Sequence, residues 1–136
     1  MTSVTGFDSI TYEAGEAVGA DSNEIWYLTT TAAVTKGTFV QLASAGTCAP
    51  ATATVGGHVG IALKTVASGA VCPVLVAGYG TVTADATGVK IGEYVKPTAA
   101  AVASKATFGT DKIVGIAANA SGANGVAVIK LMALGA

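Results

Sequence analysis

Charge is what this sequence has least of. Of its 136 residues, 7 are Lys or Arg and 8 are Asp or Glu, so 11% are charged, against about 25% in an ordinary soluble domain. With a formal net charge of −1, nothing in the chain invites nucleic acid or an acidic membrane surface. Long apolar runs are missing too, since no stretch approaches the roughly 18–20 residues of a membrane span. The first residues, Met1 to Asp8, lack the basic start and apolar stretch of a signal peptide, so synthesis and folding in a cytoplasm are expected. Cysteine is limited to Cys48 and Cys72, and neither has a second Cys or a His at ligand spacing, so no zinc site is expected. In a reducing compartment both read as small core hydrophobes, and release into an oxidising medium would leave them the alternative of a disulfide.

Catalytic furniture is equally thin. The single histidine, His58, lies in Gly56-Gly57-His58-Val59-Gly60, and a hydrolytic triad needs a base, a nucleophile and a carboxylate in mutual reach. Between residues 31 and 136 the acidic residues are Asp85, Glu93 and Asp111, too few for paired-carboxylate chemistry. Gly56-Gly57 precedes a strand pattern rather than a helix and so lacks a phosphate-binding N-terminus. Asn119-Ala120-Ser121 is a glycosylation sequon by letter, with nothing to direct the chain to secretion. No enzyme activity, cofactor or metal is expected.

What the chain does have is a second half that repeats its first. A shift of 55 residues carries Val34, Gly37 and Val40 onto Val89, Gly92 and Val95, and Ala51-Thr52 onto Ala106-Thr107. The same shift carries Val59-Gly60-Ile61-Ala62 onto Val114-Gly115-Ile116-Ala117, and Val71 and Val74 onto Val126 and Ile129. Glycines and apolar positions coincide while the polar ones have drifted, as in a duplicated scaffold. The histidine falls on Ile113, Glu93 on Thr38 and Asp111 on Gly56, so each copy dispenses with the other's polar residues. Hydrophobic residues make up 51%, mostly Ala and Val. So few charges leave an exterior of Ala, Gly, Thr and Ser, which is weakly hydrated and suited to packing in an assembly.

The length is that of one domain. Residues 1–30 stand outside the repeat, hold Phe7, Tyr12, Trp26 and Tyr27 together with several carboxylates, and read as an extended arm leading into a strand at residues 24–29. The aromatics argue for an arm ordered on something else rather than a loose terminus. Residues 31–136 read as all-β, with repeat 1 over about 31–80 and repeat 2 over about 86–134. Short Val-, Ile- and Thr-rich segments alternate with Gly-bearing turns. Strands are expected at 38–42, 59–66, 71–77, 113–119 and 126–132, with hairpin connections at Ala67-Ser68-Gly69 and at Asn124-Gly125. Pro73 predicts an edge or a bulge, and residues 98–105 a loop or loose strand. Two half-barrels, each unable to bury its face alone, are expected to close on each other as a small β-barrel or sandwich.

Two resemblances bear on function. Gly88 to Val95 followed by Thr110-Asp111-Lys112-Ile113 resembles the lysine hairpin of lipoyl carrier domains, which would make Lys112 a modified lysine; the duplicate has Gly57 there. The whole repeat unit is a better guide. Lys36-Gly37-Thr38-Phe39-Val40-Gln41-Leu42, then His58-Val59-Gly60-Ile61-Ala62-Leu63, then Val71-Cys72-Pro73-Val74-Leu75-Val76-Ala77-Gly78 resembles the capsid decoration, or cement, proteins of tailed bacteriophages, over about residues 31–134. That resemblance implies a β-rich homo-oligomer, commonly a trimer, made in the bacterial host cytoplasm. It would sit on the outside of the head, bound to the major capsid protein and stabilising its lattice. Phe7, Tyr12, Trp26 and Tyr27 are then the expected capsid or oligomer contacts. The rivals are another virion part such as a tail or spike module, the lipoyl-type carrier, and a bland oligomeric binding domain using the loop at His58.

Overall fold

A computed structural model describes residues 12–19, 23–44, 46–53 and 58–134. Eleven strands account for its regular structure: β1 Ala17–Val18, β2 Glu24–Thr30, β3 Phe39–Leu42, β4 Thr47–Pro50, β5 Val59–Ala62, β6 Val71–Ala77, β7 Tyr79–Thr83, β8 Tyr94–Pro97, β9 Ala103–Lys105, β10 Ile113–Ala117 and β11 Val126–Leu134. The fold is all-β. Strands β2-β4-β3-β5-β6 close into a barrel, and β1-β7-β11-β10-β8-β9 form a six-stranded sheet.

The pairings of the two halves coincide residue by residue. Val40 faces Pro50 and Gly60 in the first half, and Val95 faces Lys105 and Gly115 in the second. Ala62 faces Val74 as Ala117 faces Ile129. Where β2 meets β4 in parallel at Thr29–Thr47 and Thr30–Cys48, the second half keeps one parallel bridge, Ala84 to Ala103. Glycine is required where these ladders crowd. A Cβ added at Gly60 would lie 2.5 Å from the Leu75 carbonyl oxygen, and one at Gly115 would lie 2.8 Å from that of Lys130. The matched Gly37 and Gly92 turn with φ of 82° and 86°, which side-chain-bearing residues adopt at a cost.

The expected closure of two half-barrels on each other does not occur. The first half closes by itself because β2, read from sequence as lying outside the repeat, supplies a fifth stave with six rungs against β6. Its interior is Leu28, Val34, Val40, Cys48, Cys72 and Val74. Pro73 is likewise not at an edge, since β6 lies between β2 and β5. Its carbonyl accepts from Leu63 N at 3.0 Å, so its nitrogen faces the same side, beyond the last β5 rung at Ala62–Val74. That nitrogen has no hydrogen to donate back to Leu63, and β5 stops at Ala62 rather than running on to 66. Residues 103–105 form the strand β9, reached through a turn in which Ala101 takes φ 63°.

The second core is shared. Val82, Val89, Val95, Ala103 and Ile129 line the second unit, and Phe39, Ile61 and Leu75 join them in one cluster from the outer side of the first barrel. Gly80 explains the fit. It faces Ile129 as Trp26 faces Val74, so the second unit has no side chain where the first has an indole. Leu75 Cδ2 and Ile61 Cδ1 stand 2.5 and 3.0 Å from where a Cβ of residue 80 would lie. Main-chain bonds tie the same seam, Phe39 N to Ala101 O at 2.8 Å and Thr83 N to Gly37 O at 2.9 Å.

The arm, where described, is ordered on its own chain. β1 adds to the β7 edge, with Ala17 on Gly80 and Val18 on Tyr79. Buried Thr81 fastens it: its hydroxyl donates to Glu13 O at 2.7 Å and accepts from Glu16 N at 2.8 Å, while its backbone bonds Gly15 and Glu16.

Three outcomes follow. Leu75→Ala should cost about 2–5 kcal/mol in denaturant unfolding, whereas Lys130→Ala at the same register position of the second unit should stay within about 0.5 kcal/mol. Thr81→Val, which leaves Glu13 O and Glu16 N unpaired, should cost about 1–3 kcal/mol and strip amide-exchange protection from residues 13–18. Cys48 and Cys72 are free and buried, and desolvation pushes both thiols up. An aromatic disulfide reagent should therefore leave them untouched in the native protein and titrate both in denaturant.

Candidate functional site

The polar residues singled out from sequence are spent on turns. Asp85 Oδ1 accepts from Thr87 N at 3.0 Å and Gly88 N at 2.9 Å. Glu93 Oε1 accepts from Lys90 N at 2.7 Å, and its other oxygen meets Lys105 Nζ at 3.4 Å. That backbone bond, with the lysine behind it, holds the Glu93 carboxyl below its usual range. Asp111 accepts from Thr107 N at 2.8 Å and pairs with Lys96 at 3.1 Å. Its carboxyl is lowered for the same two reasons, the backbone bond first. At the position of Glu93 the first repeat has Thr38, whose hydroxyl donates to Thr35 O at 2.7 Å, closing the same turn by other means. Among the described residues no group of His, Cys, Asp and Glu could hold a metal ion.

His58 is exposed, with Nε2 at 2.9 Å from Val76 O, and among the described residues no carboxylate is in an ion pair with it. Asn119 is buried, accepting from Val128 N at 2.8 Å and donating to Val126 O at 3.2 Å, so the sequon amide is a structural brace. Lys112 is half-buried just before β10, on a connection between β9 and β10. These strands do not pair with each other, so the lysine is not at a hairpin tip. A cleft of about 330 Å³ is lined by Thr87, Val89, Lys90, Glu93 and Lys105, among others, with Glu93 already engaged inside it.

What remains is surface. Among the expected contact residues, Phe7 lies outside the described residues, and Tyr12 is half-buried at the start of the docked segment. Trp26 and Tyr27 belong to β2, a barrel stave, and are 43% and 73% exposed. Tyr27 faces Pro73 and Thr29 faces Val71 across the ladder, so Tyr27 and exposed Val71 share the outer face of the first barrel, with Ile25 at its other end. Trp26 points to the interior side at the barrel mouth, where its Nε1 donates to Glu24 Oε2 at 2.5 Å. A second exposed apolar region was not foreseen from the sequence. Tyr94 on β8 stacks at 5.7 Å with Phe108, which is 64% exposed. It is legible only once Phe39 and Tyr94 are seen as register mates.

No family model matches the chain, and no curated protein matches it. Among solved structures it is similar to the N base of the head fiber gp8.5 of bacteriophage phi29, with a TM-score of 0.57 and 10% sequence identity, covering 81% of this chain and 94% of that one. At that identity the likeness is one of fold.

Proposed function

We propose that the protein is a structural, non-enzymatic component of a phage virion. In this reading it binds the outside of the head and clips neighbouring major capsid protein subunits together, with copies assembled as a homo-oligomer, a trimer. The observation that carries the reading is the shared fold with a head-fiber base, which extends over 81% of the chain. It agrees with the repeat unit's resemblance to decoration proteins. The surface supports it as well. A lattice clip draws its strength from buried area summed over many copies, and a face built of Tyr27, Ile25 and Val71 with no charge among them is suited to that. Aromatic side chains give large contact area at little entropic cost. Asp85, Glu93 and Asp111, by contrast, are taken up by their own turns.

A second reading has its own support: the likeness covers 94% of a fiber base, so the chain would be the seat of a projecting fiber rather than a clip. Both readings place it on the head, and they part on whether heads lacking it lose strength. Purified protein should co-sediment with expanded empty heads of the parent phage. Tyr27→Ala should weaken that binding about tenfold or more, as truncation of a hot-spot aromatic does, and Phe7→Ala should weaken it if the arm contributes. Heads that fail to retain the folded wild-type chain would dismiss both readings, and retention by tails alone would favour a tail or spike module.

A further inference from the structure

Four side chains stand in a row across the outer side of each unit. In the first, Phe39 faces Ile61, Ile61 faces Leu75 and Leu75 faces Ile25. In the second, Tyr94 faces Ile116, Ile116 faces Lys130 and Lys130 faces Tyr79. The registers make these the same row. The first holds one module onto another, since Phe39, Ile61 and Leu75 are fully buried in the core shared with the second unit, Ile61 and Leu75 at Gly80. The second is at the surface: Lys130 is exposed, Tyr94, Ile116 and Tyr79 are half-buried, and Phe108 lies beside it.

We propose that this second row docks on the first unit of another copy of the chain, with Lys130 placed over Trp26 and Glu24. The occupant follows from what the row does inside the chain, where it grips a module of the same kind. The chemistry of the receiving side has changed in step with the row. The partner of Leu75 is Gly80, the first-unit residue at the place of Gly80 is Trp26, and Glu24 Oε2 lies beside it, accepting from the Trp26 Nε1. Thus where an aliphatic side chain meets a bare glycine within the chain, a cation would meet an indole face and a carboxylate between chains. A lysine is attracted to both, and its longer stem spans the greater separation that the indole imposes. Neither Lys130 nor Glu24 is in an ion pair among the described residues. The contact joins different surfaces of the two copies, so it generates a ring where the rotation closes.

The inference rests on the homo-oligomer part of the proposed function. It is tested on the full chain without heads, so failure to associate and failure to bind heads are read separately. Light scattering coupled to size exclusion should show concentration-dependent association of the wild type, weakened by salt. Lys130→Glu and Glu24→Lys should each weaken it at least tenfold, roughly what loss of one close charge pair costs, with unfolding curves unchanged. The double variant Lys130→Glu/Glu24→Lys, whose every copy carries both reversed charges, should associate again. A wild type that stays monomeric, single variants that associate normally, or a double variant that does not recover would each overturn the proposal.

Discussion

The seating of Phe39, Ile61 and Leu75 against the second unit is the constraint on which the rest of the structure depends. A unit of five short strands rich in Ala and Val encloses little apolar volume, and burial at about 25 cal/mol per Å² needs large side chains to offset chain entropy. The first unit reaches closure with Trp26 at its mouth. The second has Gly80 there, and its core is completed from outside by side chains of the first. The two units therefore cannot be separated without opening a core that both of them line, although each has its own strand set.

The linkage is also covalent and short. β6 and β7 are separated by Gly78 alone, at φ 102°, so one nearly continuous strand leaves the first barrel and enters the second sheet. Asn23 fixes this crossing, its Oδ1 accepting from Tyr79 N at 3.0 Å and its amide donating to Val18 and Gly19 carbonyls. The arm is recruited to the same place. By pairing with β7 it covers the edge that would otherwise offer unpaired main chain to neighbouring proteins. A buried threonine suffices as the fastening, because its hydroxyl both donates and accepts and so satisfies two main-chain groups at once.

The two halves share their pairing registers but differ in their polar side chains. Positions whose side chains enter a core or whose backbones touch have stayed apolar or glycine. Polar positions have been reassigned to local turns, with Thr38 and Glu93 closing one turn by opposite hydrogen-bond polarity. Asp85, Glu93 and Asp111 are bound by backbone N–H groups of their own loops, and that binding is the first cause lowering Glu93 and Asp111. The described surface is sparsely charged and exposes Ile25, Tyr27, Val71, Ile91 and Phe108.

The strand-and-turn pattern determined a good deal directly: the all-β class, most strand positions within a few residues, and the turns at Gly69 and Asn124. These are local matters, fixed by side-chain alternation and by φ values that few residues tolerate. The membership of β2 in the barrel was not legible, because a lone strand next to a carboxylate-rich arm carries no sign of its partner. Pro73 misled for a related reason, since its carbonyl still accepts from Leu63 N, and a central strand tolerates the one missing donor just where its neighbour β5 ends. Tertiary structure alone decided which copy of the shared outer row is buried and which is exposed. Leu75 and Lys130 hold the same place in the duplicated pairing, and only the packing of one unit on the other, through the space left at Gly80, gives them opposite surroundings.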